Sequence, residues 1–158
     1  MQITNNNGEL NLVFYVENSI DSGIRKIADK VRLDIQRVTG AMPEYAENLN
    51  AIQGNIVIFA NPDNSPTIRK LEMEKKIDLT NVRGKREVYS FSVMDTPIFE
   101  LSGIKSAIVI CGSDKRGLIY GLFHISELLG VSPLVDWADI LPVKRQSVTF
   151  DSSMNIVT

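Results

Sequence analysis

The sequence predicts a single α/β (α+β) domain: a small mixed sheet of about four or five strands with two long helices packed on it. Two kinds of pattern predict it. Short apolar runs at Leu12 to Val16, Asn55 to Ala60 and Ala107 to Cys111 have the length and β-branched content of strands covered on both faces. Two longer stretches place apolar residues at helical spacing instead: Ile24, Ile27, Ala28, Val31, Ile35 and Val38 in the first, and Leu118, Leu122, Ile125 and Leu129 in the second. The order strand, helix, strand then requires at least one parallel crossover. With 158 residues, 44% of them hydrophobic, the chain is long enough for one core and short for two.

Taken in order, Leu12 to Val16 is the first buried strand, and Asn18 to Ser22 supplies turn and cap chemistry for a helix over about 20–39. Thr39-Gly40 ends that helix, with Pro43 just beyond as a stop signal. Asn55 to Ala60 is the next strand, and the polar, proline-flanked exit Asn61 to Ser65 leads into a short helix from Thr67 to about Lys75. Lys75, Lys76, Arg83, Lys85 and Arg86 are interspersed with Glu72, Glu74, Asp78 and Glu87, the pattern of a solvated face. In the strand near 88–94, Tyr89, Phe91 and Val93 alternate with Ser90, Ser92 and Met94, which suits a half-buried antiparallel or edge position. The last strand falls near 106–111, and the second long helix begins near Gly117.

Composition narrows the function classes. A formal charge of -2 and a pI near 5.4 leave no basic surplus to attract nucleic acid or an anionic membrane. No apolar stretch reaches the ~20 residues that a membrane helix needs. The opening MQITNNNGEL lacks the basic-then-apolar pattern of a secretion signal. One histidine and one cysteine do not make a structural zinc site. Cys111 lies in an apolar strand and reads as a small core residue, and His124, among apolar and aromatic neighbours, reads as a packing or hydrogen-bonded core residue.

The candidate site is the turn Gly112 to Arg116, at the C-terminal end of a strand and the start of a helix. Exposed backbone N–H groups and the positive end of a helix dipole favour oxygen-rich or anionic ligands at such a place. Ser113 or Asp114 is the natural N-cap. Gly117 and Gly121, four apart, let the helix backbone approach the sheet closely. Gly112 and Gly117 have the glycine spacing of a phosphate-binding loop, but Leu118 and Ile119 follow where Lys and Ser/Thr are required, so a nucleoside triphosphate site is not expected. The GxG pair of a dinucleotide site is absent as well.

The run GSDKRGLIYG from Gly112 to Gly121, followed by LGVSP at Leu129 to Pro133, WAD at Trp137 to Asp139 and PVK at Pro142 to Lys144, resembles the N-terminal domain of glycoside hydrolase family 115, the xylan α-glucuronidases. DIQRVTGAMP, Asp34 to Pro43, resembles the same family and also the domains that precede the barrels of hexosaminidases and another α-glucuronidase family. The sequence departs from the family where Leu134, Val135 and Asp136 separate the SP and WAD blocks, and at Arg86, where an aromatic is often seen. The resemblance implies an α/β domain over 1–133 and a connector over 134–158 toward a following (β/α) barrel. It implies that this domain carries no catalytic residue of its own, needs no cofactor, and belongs to a secreted or periplasmic hydrolase of glucuronic or methylglucuronic acid side chains. It further implies that Lys115, Arg116 and Asp114 face an acidic sugar or xylan oligosaccharide, although position alone makes Asp114 chiefly a cap. The segment SPLVDWADILPVK has prolines at both ends and no helical or alternating pattern, so it reads as a connector whose Trp137 lies on a domain-docking surface or folds back on the sheet. A stand-alone carbohydrate-binding or interaction module is the alternative reading, and a small nucleotide-binding protein is a third.

Overall fold

The computed structural model describes residues 1–4, 8–17, 20–95, 103–131, 150 and 155–158. These form six strands and three α-helices: β1 (Val13–Tyr15), α1 (Ser22–Thr39), β2 (Glu44–Ala46), β3 (Gln53–Ala60), α2 (Pro66–Met73), β4 (Tyr89–Met94), β5 (Gly103–Gly112), α3 (Lys115–Leu128) and β6 (Asn155–Val157). The strand order is β2-β1-β3-β5-β4-β6. Strands β2, β1, β3 and β5 are parallel neighbours, whereas β4 runs antiparallel to both β5 and β6.

The sheet is covered on both faces because its central strands are apolar at every position rather than at alternate ones. Val57 and Phe59 of β3, Ile108 and Ile110 of β5, Phe14 of β1 and Phe91 of β4 pack with α1 and α3 in one core. Ile56 and Ile58 of β3 and Val109 and Cys111 of β5 pack on the other face, against Ile68 and Leu71 of α2 and the following Ile77, Leu79 and Val82. Each fully buried Ile or Leu of this kind contributes roughly 1.5–3 kcal/mol of transfer free energy. The two long helices of the sequence reading therefore lie side by side. A buried Asp34 on α1 links them, accepting a hydrogen bond from Ser126 Oγ of α3 at 2.8 Å while Arg37 lies 3.3 Å away.

Helix limits follow local chemistry. Asp21 caps α1 by accepting from the N–H groups of Gly23 and Ile24. Gly40 ends it in the left-handed region at φ 89°, with its N–H bonded to Gln36 O, a conformation that costs glycine least. Helix α3 begins at Lys115, two residues before the start read from the sequence, because Asp114 is the residue that caps it.

Two strands, β2 and β6, are additional to the four that the sequence placed. The three residues of β2 are too few to carry a pattern, and their position is held from outside: Tyr45 lies between the guanidinium groups of Arg25 and Arg32, and its hydroxyl donates to Asp29 at 2.6 Å. Strand β6 lies in the 134–158 stretch read as connector, and its pairing partner is β4. A further difference lies in β4. Ser90 and Ser92 of β4 are 5% and 8% exposed, not solvent-facing, and β4 is an inner strand with β5 on one side and β6 on the other. Trp137 and most of the 134–158 stretch lie outside the described residues.

The tightest packing is along α3. A Cβ at Gly117 would fall on the Val88 carbonyl oxygen, and one at Gly121 would meet the Ile110 side chain and Tyr89. At Gly117 the obstacle is backbone and cannot rotate away. Replacing Gly117 with Ala is expected to destabilise the fold by roughly 1–3 kcal/mol through overpacking, despite alanine's better helix propensity. Urea unfolding measures it, and an unchanged midpoint would mean that α3 can move off the sheet without cost.

Candidate functional site

The parallel strands β1, β3 and β5 end at one edge of the sheet, and all three helices begin there. Each helix start is closed by a carboxylate of the protein. Asp21 closes α1. Glu17 closes α2, accepting from the Thr67 N–H at 3.1 Å and from the hydroxyl of Ser65, which in turn accepts from the Ile68 N–H. Asp114 closes α3, with Oδ1 accepting from the Gly117 N–H at 2.8 Å and Oδ2 from the Glu87 N–H at 2.9 Å. These two backbone donors, Gly117 first, hold the Asp114 carboxyl below the ordinary carboxylate range.

The turn is fastened from two sides. Asn61, the first residue after β3, donates its side-chain amide to the carbonyls of Gly112 at 2.7 Å and Asp114 at 2.9 Å. Ser113 exchanges two bonds with Val88: its N–H donates to the Val88 carbonyl at 2.7 Å, and its hydroxyl accepts from the Val88 N–H at 3.0 Å. Glu87 adopts φ 56°, an unfavourable backbone for a side-chain-bearing residue, and so aims its N–H at Asp114.

Sequence reading placed Asp114, Lys115 and Arg116 together, and the structure brings them to this edge. Both cations, however, already have partners from the protein. Lys115 Nζ is 3.0 Å from Asp21 Oδ1, which makes it a tether between the starts of α3 and α1. Arg116 donates to Glu87 at 2.9 Å. The hydrogen bond from Lys115 is the first cause that holds the Asp21 carboxyl below its ordinary value, ahead of the Ile24 and Gly23 N–H groups. Sequence reading did not single out Glu17, Asn61 or Glu87. Asn61 had a usable signal, since a polar residue directly after a buried strand sits at the same edge as Gly112.

A cleft of about 110 Å³ opens beside the turn, with Ile24, Phe59 and Leu118 as its apolar floor and Glu17, Asp21 and Asn61 at its rim. That is room for one small ring or one inserted side chain. The other titratable groups singled out in the sequence lie elsewhere. Cys111 is buried in the face that carries α2, and desolvation pushes its thiol up to about 12. His124 is half-buried on α3, stacked on Phe91 with ring centroids 4.6 Å apart and bonded through Nδ1 to the Tyr89 hydroxyl at 2.6 Å. Burial holds its pKa below the ordinary imidazole value, with Glu127 opposing weakly.

The fold and edge define a three-layer α/β domain whose ligand-prone edge is occupied by its own carboxylates. No family model matches the chain, and no curated protein matches it. Among solved structures it is similar to a family GH115 4-O-methyl-α-glucuronidase, BtGH115A, described as having specificity for decorated arabinogalactans. The TM-score is 0.72 at 23% identity, covering 92% of this chain and 17% of that one. The chain therefore has the fold of a segment of a family GH115 enzyme, in agreement with the sequence blocks around Gly112 to Lys144.

Two outcomes test the electrostatics. Asp114→Ala is expected to cost roughly 0.5–2 kcal/mol at neutral pH, the usual range for a lost N-cap. Because the folded-state pKa of Asp114 is depressed, its contribution is complete above the unfolded carboxyl value near ~3.9 and is lost as pH falls through the folded value. The stability gap between parent and variant should thus close in acid, as urea midpoints across the acid range would show. His124 also has a depressed pKa, so its contribution is present above the ordinary value near ~6.5 and is lost as pH falls through the lower folded value. His124→Gln should flatten that part of the stability profile. The sole imidazole resonance, followed by NMR, should titrate below its ordinary value.

Proposed function

We propose that the chain is a non-catalytic domain of a polysaccharide-degrading glycoside hydrolase of the family 115 type. The full polypeptide would remove glucuronic or methylglucuronic acid side chains from xylan or a related polysaccharide. The observation that carries this reading is the fold likeness over 92% of the chain to a segment amounting to 17% of a 4-O-methyl-α-glucuronidase. The ordered blocks GSDKRGLIYG, LGVSP, WAD and PVK support it. A secreted or periplasmic setting goes with that role. No helix among the described residues is long and apolar enough to cross a membrane.

The chemistry at the edge also favours a non-catalytic part. Glycoside hydrolysis uses two carboxyl groups, one of them protonated and poised to give up its proton. Asp21 and Asp114 are each engaged by helix N–H groups and held below the ordinary carboxylate range. Backbone donors of this kind stabilise the ionised form, which makes a carboxyl a poor general acid. Arg116 is the residue best placed to reach an acidic sugar, since its only described partner is the exposed Glu87. Lys115 acts first as a tether, and Asp114 as a cap.

The expected outcome is that residues 1–158 alone release no uronic acid from decorated xylo-oligosaccharides, whereas the polypeptide carrying the natural continuation does. Chromatographic detection of the released uronic acid decides it. Sustained release by the isolated chain would overturn the non-catalytic assignment, and an open reading frame that stops at Thr158 would overturn membership in a longer hydrolase. Calorimetric binding of glucuronate or xylan fragments by the chain alone, with no continuation present, would favour a stand-alone carbohydrate-binding module.

A further inference from the structure

Strand order fixes where residue 158 lies. Strand β4 runs antiparallel to β5, and β6 antiparallel to β4, so β6 runs in the same direction as β5 and finishes at the same edge. Tyr89 stands opposite Gly112 in the sheet. Thr158 bonds Tyr89 from its other side in both directions, donating to the Tyr89 carbonyl at 3.0 Å and accepting from its N–H at 2.8 Å. Thr158, Tyr89 and the Gly112 to Arg116 turn therefore succeed one another along the edge where all three helices begin.

That edge is suited to being covered by protein. Both cations of the turn are paired within the domain, Lys115 with Asp21 and Arg116 with Glu87, and the three helix ends are closed by carboxylates that accept N–H bonds. Burying paired charges costs less than burying lone ones. Tyr120, one turn along α3 from Arg116, is 46% exposed, and the apolar-floored cleft beside α1 can receive one side chain. Exposed aromatics and apolar clefts with polar rims are both common in protein contacts. The opposite edge differs. Among the described residues it presents a shallow concavity of about 340 Å³ whose lining, Gln2, Thr4, Asn11, Asn55, Asp95, Lys105 and Ser106, is polar.

Resting on the reading of the chain as one part of a longer hydrolase, we infer that the edge carrying Lys115, Arg116, Tyr120 and the Glu17–Asp21 cleft is the face covered by the polypeptide that follows Thr158. The turn with the strongest family resemblance is then an interdomain contact, and the opposite, polar edge stays in solvent.

Maleimide labelling of variants with one introduced cysteine tests this in the chain of 158 residues and in the polypeptide carrying its natural continuation. Arg116→Cys and Lys105→Cys report the two edges, and buried Cys111, with its thiol pushed up to about 12, gives little background. The expected result is that Arg116→Cys labels in the short chain and loses labelling in the longer one, while Lys105→Cys labels in both. Retained labelling of Arg116→Cys in the longer polypeptide, or loss of labelling at Lys105→Cys, overturns the inference. Uronic acid release by the longer polypeptide is scored independently, so failure of the hydrolase reading is told apart from failure of the docking face. Tyr120→Ala, which lies outside the turn, supplies a second measurement: it should lower the unfolding midpoint of the longer polypeptide more than that of the short chain, and equal effects count against the contact.

Discussion

Because Gly117 has no side chain, the Val88 carbonyl can lie where a Cβ would be, and α3 can rest directly on β4 and β5. The rest of the edge depends on that approach. Only at this distance can Ser113 exchange two hydrogen bonds with Val88, and only then does the Glu87 N–H reach the Asp114 carboxylate. Gly121 continues the seam over Ile110 and Tyr89, which in turn sets Tyr89 beside His124. Moving the helix outward would break a capping bond, two turn bonds and an aromatic contact together. Packing and electrostatics at this edge are therefore one cooperative arrangement.

Helix N-termini attract anions because their first N–H groups lack partners and the dipole adds positive potential. In this domain the attraction is met internally. Glu17, Asp21 and Asp114 each accept from backbone N–H groups at the start of a helix, and Asn61 takes up the carbonyls of the turn between them. In the turn with phosphate-loop glycine spacing, the Gly117 N–H is bonded to the Asp114 carboxylate and the Ser113 N–H to the Val88 carbonyl, so neither points free toward a ligand.

The central strands and both long helices were legible because they rest on apolar patterns long enough to be periodic. Ile24 to Val38 and Leu118 to Leu129 could hardly be anything but helices with one buried face. The three-residue strands were not legible, because three residues show no period. Strand β2 depends on Tyr45 being gripped by Arg25 and Arg32 of α1, a contact across sequence that no local pattern encodes. Alternation misled at β4: Ser90 and Ser92 look solvent-facing, and both are buried in the six-stranded sheet, where β4 has a neighbour on each side. At the site, Asp114 was legible as a cap from its position alone. Its neighbours' roles were not, since Lys115 and Arg116 are defined by Asp21 and Glu87, partners brought together only by the fold.

Any acidic ligand at this edge must compete with a carboxylate that is already present, and the three residues differ in how readily they yield. Asp114 is held by two backbone N–H groups whose positions are fixed by the helix and by Val88, so it has no reason to leave. Lys115 spans from one helix start to another, and releasing it would leave Asp21 with only its own helix donors. Arg116 is different: it and Glu87 are both largely exposed, and exposed pairs of this kind are weak because water competes and two flexible side chains must be ordered. A planar carboxylate offered to the guanidinium in bidentate geometry can replace Glu87 with no loss of charge pairing for the arginine, and Glu87 then returns to solvent. Of Lys115 and Arg116, Arg116 has the more readily exchanged partner, which suits it better to meet an acidic group from outside the domain.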